Sequence, residues 1–291
     1  MAHKSGFVNI IGNPNVGKST IMNSLVGEKI SIITSKSQTT RHRIMGIVSG
    51  EDFQIVYSDT PGVLEPKYKL QESMLKFAES ALEDADVILY VTDVYEKYHK
   101  NQRFLSKVQQ LESPVLLLLN KIDLSNQEEV EALYEEWTKV LPKATIIPLA
   151  ALHGFNMPAV LEHIMARLPE GPAFFPKDQL TDKTERFFVS EIIREKILLN
   201  YQKEIPYSVE VVIETFKHEP GLLRIQSLIV ADRDSQKGIL IGHKGEALKR
   251  VGSQARMDIE SFFGTKVFLE IFVKVDKDWR NRERSLRNFG Y

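Results

Sequence analysis

The chain has no cysteine, which removes disulfides, thiolate metal sites and cysteine nucleophiles from consideration. It also lacks any run approaching the roughly 18 consecutive apolar residues that a membrane span requires. The opening Met1-Ala2-His3-Lys4-Ser5-Gly6 leads into a strand-like stretch rather than a signal core. Internal repeats and low-complexity tracts are absent too. What remains is an ordinary globular composition, 43% apolar and 26% charged over 291 residues. That length suits two domains, and a cytoplasmic, soluble protein is expected.

The formal net charge of −1 conceals an asymmetry. Residues 1–170 hold 17 Lys/Arg against 21 Asp/Glu, and residues 171–291 hold 21 against 18. Between Lys237 and Arg287 the ratio is 12 to 7, which invites a polyanion for the second half or simply a solvated surface.

In the first half, buried-strand runs (Phe7–Ile11, Gln54–Tyr57, Val87–Val91, Val115–Leu119, Thr145–Pro148) alternate with helical patterns (Ser19–Val26, Gln71–Glu83, Gln102–Gln110, Gln127–Leu141). The alternation predicts an α/β domain with a mostly parallel sheet, whose ligand loops follow the carboxyl ends of the strands. Pro169-Glu170-Gly171-Pro172-Ala173-Phe174-Phe175-Pro176 breaks the pattern. We read residues 1–170 as one domain, 171–180 as a stiff linker and 181–291 as a second, α+β domain. That second domain runs helix (Asp182–Gln202), strands (Ser208–Lys217, Leu222–Asp232), helix–turn–helix (Gly238–Gly264), strand (Lys266–Val275) and a charged, helical tail.

After the first strand comes Gly12-Asn13-Pro14-Asn15-Val16-Gly17-Lys18-Ser19, followed by Thr20, which fits G-x-x-x-x-G-K-[ST] between strand and helix. Such a loop turns consecutive backbone N–H groups toward phosphate oxygens, and the helix adds its positive end. Lys18 would reach the β- and γ-phosphates, and the Ser19 hydroxyl would ligate Mg2+. This loop does not by itself choose between ATP and GTP. Asn120-Lys121-Ile122-Asp123 at a later strand end makes that choice. The Asp123 carboxylate can accept from both the ring N–H and the amine of guanine. Adenine would leave it unsatisfied at a cost of about 1–3 kcal/mol. Lys121 can lay its stem over the base, and Asn120 can tie this loop to the phosphate loop.

Asp59-Thr60-Pro61-Gly62 follows another strand, with Asp59 placed to hold Mg2+ and the Gly62 N–H to bond a γ-phosphate oxygen. The polar stretch Gln38-Thr39-Thr40-Arg41-His42 is the candidate switch. Thr40 is the preferred metal-shell threonine and Thr39 the alternative. In the loop Leu149–Gly154, Ala150 and Ala151 offer backbone N–H groups to a guanine carbonyl.

In the second half, Gly242-His243-Lys244-Gly245 forms a G-x-x-G turn, preceded by Ile241 and followed by Lys249 and Arg250. Glycine at both ends lets a nucleic-acid backbone approach. Ile241, Leu248 and Val251 would form an apolar floor for bases, as in a KH clamp holding about four nucleotides. A ligand-free helix–helix turn is the alternative. The tail's Arg280, Arg282, Arg284 and Arg287 either extend the clamp or coat a solvated helix.

Together these motifs resemble the Era family of bacterial GTPases over essentially the whole chain: a Ras-like GTPase domain, a short linker, then a type II KH domain with a tail like Trp279…Leu286-Arg287-Asn288-Phe289-Gly290-Tyr291. The resemblance implies a monomeric, Mg2+-dependent GTPase that turns over GTP slowly. It implies binding of single-stranded RNA near the 3′ end of small-subunit ribosomal RNA, and a role in assembling that subunit. It further implies peripheral association with the inner membrane. An Asn at the position of Asn15 helps hold K+ in the wider group, which would give Asn15 a catalytic part beside Lys18. Two departures stand out. Ala150 replaces the serine usual in the fifth loop. Val63 stands where Ras-type enzymes carry a water-orienting glutamine, as an apolar residue does in Era relatives. The competing readings are an RNA-binding scaffold with an inert nucleotide site and a small-molecule kinase. GTP turnover separates the first, and the N-K-I-D loop disfavours the second.

Overall fold

In the computed structural model, which describes residues 2–97 and 101–291, the apolar runs of the first half become the inner strands of a six-stranded sheet. In sequence order the strands are β1 (Lys4–Gly12), β2 (Ile44–Ser49), β3 (Phe53–Asp59), β4 (Val87–Asp93), β5 (Val115–Asn120) and β6 (Thr145–Pro148). Their spatial order is β2-β3-β1-β4-β5-β6, parallel throughout except for β2, which runs antiparallel to β3. Helices α1 (Lys18–Val26), α2 (Lys69–Glu83), α3 (Gln102–Gln109), α4 (Gln127–Val140) and α5 (Met157–Arg167) alternate with the strands. Strands covered on both faces are apolar at nearly every position, and all seven residues of β4 are buried. Against one face pack Ala78, Phe104, Leu105 and Trp137, with the Tyr90 and Trp137 rings 5.8 Å apart.

The sequence did not announce β2. It is short, and Gly46 sits in its middle because a Cβ there would come 2.5 Å from Ile30 Cδ1. Its open edge is served by the proline-rich segment, which is laid along this sheet rather than strung through solvent. Ile47 N donates to Leu180 O (2.9 Å) and Thr181 Oγ1 to Met45 O (2.6 Å), while Gln54 Oε1 accepts from the N–H groups of both Phe174 and Phe175. Edge groups left unpaired would cost comparable hydrogen-bond energy.

By internal contacts the chain divides into one unit of Met1–Pro66 and Gln71–Asp182 and a second of Lys67–Leu70 and Lys183–Tyr291. The second contains α6 (Glu185–Asn200), β7 (Val209–Glu219), β8 (Leu222–Ala231), α7 (Asp234–Ile241), α8 (Glu246–Phe263), β9 (Lys266–Val275) and α9 (Glu283–Asn288). Its sheet order is β7-β8-β9, with β7 antiparallel and β9 parallel to β8. Period-2 alternation in β8 buries Leu223, Ile225 and Ile229 against the helices, where they meet Ile193, Ile197, Leu240, Val251 and Ile259. The other face of the sheet is not covered in the same way.

The tail is packed, not a solvated helix. Trp279 is fully buried, its Nε1 donates to Ser208 O (3.1 Å), and its ring meets Phe289 edge-on at 5.3 Å. Leu286 is buried as well, and Tyr291 Oη donates to Glu210 Oε2 at 2.7 Å. Among the described residues, no helix is long and apolar enough to cross a membrane.

Candidate functional site: a nucleotide cleft and a glycine-turn clamp

Four of the loops at the carboxyl ends of the first sheet converge on a cleft of about 440 Å³. The loop after β1 supplies its floor. Gly12 (φ 146°) and Gly17 (φ 101°) adopt backbone angles that other residues rarely take, and a Cβ on Gly17 would fall 2.2 Å from Asn120 Nδ2. Lys18, buried at the start of α1, donates to Gly12 O (3.2 Å) and Asn13 O (2.8 Å). Burial lowers its pKa to about 8, with Asp59 and then Glu96 opposing the shift. A cation held this way, on loop carbonyls, is poised to exchange them for phosphate oxygens.

Ser19, Thr40 and Asp59 come together beside it. Ser19 Oγ donates to Asp59 Oδ2 at 2.7 Å and lies 2.9 Å from Thr40 Oγ1, which itself reaches Asp59 Oδ2 at 3.2 Å. Thr39 points elsewhere, its hydroxyl 2.7 Å from Thr34 Oγ1 and donating to Lys36 O. Geometry therefore selects Thr40. Burial raises the Asp59 carboxyl above its usual range, opposed by the Lys18 charge and the neighbouring hydroxyls. Asp59 Oδ1 is buried without a hydrogen-bond partner. An unsatisfied carboxylate oxygen next to two hydroxyls is the donor set of a hard, oxygen-seeking divalent cation, so these residues fit Mg2+.

The rest of the candidate switch divides by burial. Arg41 is fully buried, His42 tilts against Phe77 at 6.2 Å, and Gln38 (φ 57°) turns the chain. Thr60 Oγ1 donates to Ile10 O at 2.8 Å, and Gly62 lies so near Pro14 that a Cβ would be 2.7 Å from its Cα. Val63 turns into the core, which leaves the position after Gly62 with no polar group in the cleft.

Asn120 does more than tie its loop to the phosphate loop. Its Nδ2 donates to Val16 O (2.8 Å), and its Oδ1 accepts from Ala151 N (3.0 Å), so one side chain joins three loops. Lys121 (φ 64°) extends over the phosphate loop, its Nζ 2.6 Å from both Asn15 O and Asp93 Oδ2. Ile122 packs against the core, which leaves Asp123 at the cleft mouth, 3.5 Å from His153 Nε2. In the fifth loop the backbone donors are engaged within the protein. Ala150 N already donates to Phe155 O and Ala151 N to Asn120, so a base carbonyl must displace one of these bonds or use Leu152. Leu152 of the same loop, 79% exposed, lines the cleft, as do Ile32–Lys36, which escaped the sequence reading because no motif marks them. Asn101, which donates to Asn13 Oδ1 and Val63 O, was equally unmarked.

In the second unit the G-x-x-G turn joins α7 to α8. Lys244 (φ 50°) takes the left-handed conformation, and His243, Lys244, Lys249 and Arg250 are exposed around it. The two glycines differ in purpose. A Cβ on Gly242 would lie 2.6 Å from Ala247 Cβ, so that glycine is required by the protein's own packing. Gly245 (φ 80°) faces open space and is the one past which a ligand backbone can run. Val251 cannot belong to an apolar floor because it is fully buried in the core, and Leu248 packs against that core. Ile241 is half-buried and Ile239 is 51% exposed, so the accessible apolar surface lies on α7 instead. Tyr201, unmarked in the sequence, fixes the turn from beneath by donating to Leu240 O at 2.6 Å.

Comparison with known proteins agrees with this geometry. Residues 7–121 match a family described as 50S ribosome-binding GTPase, and residues 204–280 match the KH domain. The whole chain aligns with the whole of GTPase Era from Alkaliphilus metalliredigens (strain QYMF) at 47% identity. The chain belongs to the Era family of GTPases. Two solved Era structures superpose on 99% of it, each at 40% identity and over 99% of their own length. One is Era in complex with MgGDPNP and nucleotides 1506–1542 of 16S ribosomal RNA, with a TM-score of 0.95. The other is a point variant of Aquifex aeolicus Era bound to GDP.AlF4-, with a TM-score of 0.94. The Era fold accounts for the order of motifs: a mostly parallel GTPase sheet first, a KH domain after it.

Proposed function

We propose that this protein is a Mg2+-dependent GTPase switch that binds the 3′ end of small-subunit ribosomal RNA through its KH domain and acts in assembly of that subunit. The observation that carries the reading is the meeting of Ser19, Thr40 and Asp59 at 2.7–3.2 Å beside a buried Lys18. One member comes from the phosphate loop, one from the switch stretch and one from the strand end. The Era relative that holds MgGDPNP and ribosomal RNA supplies the ligand classes.

Lys18 would exchange the Gly12 and Asn13 carbonyls for phosphate oxygens. Ser19, Thr40 and Asp59 would hold Mg2+, which neutralises charge developing on the phosphates. Thr40 engages only while the switch stretch is closed, which makes that stretch the nucleotide-sensing element. Asp123 reads the guanine edge, and the Asn120 bridge holds base and phosphate loops at a fixed spacing. With Val63 turned inward, no side chain next to Gly62 orients water, so intrinsic turnover is slow. Asn15 donates through Nδ2 to Ser35 O, which leaves Oδ1 to meet a potassium ion. A ribosomal partner supports a cytoplasmic location. Association with the inner membrane periphery rests on family resemblance alone.

The test is crosslinking of RNA in cells with wild-type protein and with Lys18→Ala, alongside GTP turnover in vitro. Enrichment of the 3′ end of small-subunit RNA, lost or altered when nucleotide cannot bind, is expected. Turnover at a metabolic-kinase rate without partners, or equal use of ATP, would refute the proposal.

A further inference from the structure

Helices cover one face of the three-stranded sheet, and the strand register defines what stands on the other. Across it run Lys217, Arg224 and Phe268, then Thr215, Gln226 and Glu270, then Val212, Leu228 and Phe272. Lys266 and Lys274 lie on the same face of β9, above and below the two rings. Phe268 is 42% and Phe272 51% exposed, although phenylalanines at strand centres normally find cover. The Arg224 guanidinium lies 4.7 Å over the Phe268 ring, and among the described residues Phe272 touches no other aromatic ring.

Both signs of charge stand on this face: Glu219 pairs with Arg224, while Glu270 accepts from Gln226 and the buried Glu210 from the Tyr291 hydroxyl. Lys217, Lys266 and Lys274 make no ion pair among the described residues.

We propose that this face is a second RNA surface, on which Phe268 and Phe272 stack unpaired bases while Lys266, Lys274 and Arg224 meet the phosphates. The inference rests on the ribosomal-RNA reading above and extends it. Exposed aromatics on a sheet, flanked by cations, are how sheet-based RNA modules hold two or three bases. A protein-docking face would instead be poor in charge at its core. A KH clamp holds about four nucleotides, whereas the Era relative was solved with nucleotides 1506–1542. An RNA of that length extends beyond such a clamp. Because β9 is a sheet edge, a strand leaving the helix side can reach the open face around it.

The experiment uses the full chain loaded with a non-hydrolysable GTP analogue and two RNAs: the 1506–1542 fragment, and a short single strand from its 3′ end. For Phe268→Ala/Phe272→Ala, a loss of roughly tenfold or more on the long fragment is expected, the scale of lost base–aromatic stacking. The short strand should bind as before. In Lys266→Gln/Lys274→Gln, which leaves the sheet's packing untouched, the slope of log affinity against log salt should fall by about one per lysine removed. Unchanged binding of the long fragment overturns the proposal. So does an equal loss on both RNAs, which would mean a damaged fold. Intact RNA binding with weakened binding to small subunits would assign the face to a protein and overturn it as well. Failure of wild-type protein to bind either RNA would instead sink the ribosomal-RNA reading.

Discussion

Asp123 stands at the cleft mouth, 3.5 Å from His153 Nε2, so a guanine edge would complete its hydrogen bonding. Asp123→Asn should cost GTP affinity by tenfold or more and admit xanthine nucleotides, and competition binding with GTP and XTP checks this. If selectivity is unchanged, Asp123 does not read the base. Asn120→Ala removes two buried bonds at once, so it should destabilise the first unit by about 2 kcal/mol and weaken both GTP and GDP. Denaturant titration together with nucleotide affinity measures this. An effect on stability without one on binding would count against the three-loop bridge. Residue identities at this site were legible because phosphate and guanine chemistry restricts which side chains can serve. The choice between Thr39 and Thr40 was not, since adjacent identical hydroxyls differ only in direction. Val251 was misjudged for a related reason: helical periodicity marks an apolar face without saying whether that face looks at a ligand or at the core.

Elements were read most accurately where burial is two-sided, as in β4 and β5, and least where Gly46 interrupts a short edge strand. The α7–α8 junction shows a finer limit. Its two glycines look alike in sequence, yet one answers to Ala247 and the other to open space. Gly242→Ala combines a left-handed backbone with a close contact and should cost about 3 kcal/mol, whereas Gly245→Ala should cost about 1 kcal/mol. Thermal unfolding of the two variants tests the ranking, and a reversed order would show that the packing around Ala247 yields. Lys244→Glu, exposed on the same turn, should weaken RNA binding and flatten its salt dependence while GTP affinity stays constant. Equal RNA affinity would move the clamp elsewhere.

For the molecule as a whole, the division into an α/β half and an α+β half followed from hydrophobic periodicity and from the prolines after Leu168. Those same prolines suggested a stiff linker, and hydrogen bonds to Gln54 and to the β2 edge bind the segment to the first unit. Proline fixes local stiffness without specifying what the stiff segment lies against. The tail was ambiguous because its arginines suggest solvent while Trp279 and Leu286 suggest a core, and the packing resolves it in favour of the core. Trp279→Ala should therefore cost about 3–5 kcal/mol in the second unit and leave GTP binding by the first intact. Hydrogen exchange over β7 and β8 checks this. Unchanged protection there would show that the tail contributes little.

Trp137 and Trp279 are the chain's only two tryptophans. Each is sealed inside a different half. Replacing either with phenylalanine leaves a single indole whose emission reports the melting of one half alone, with no dye attached. The order in which the nucleotide-binding and RNA-binding portions come apart, and which of them GTP protects, can then be followed in a cuvette.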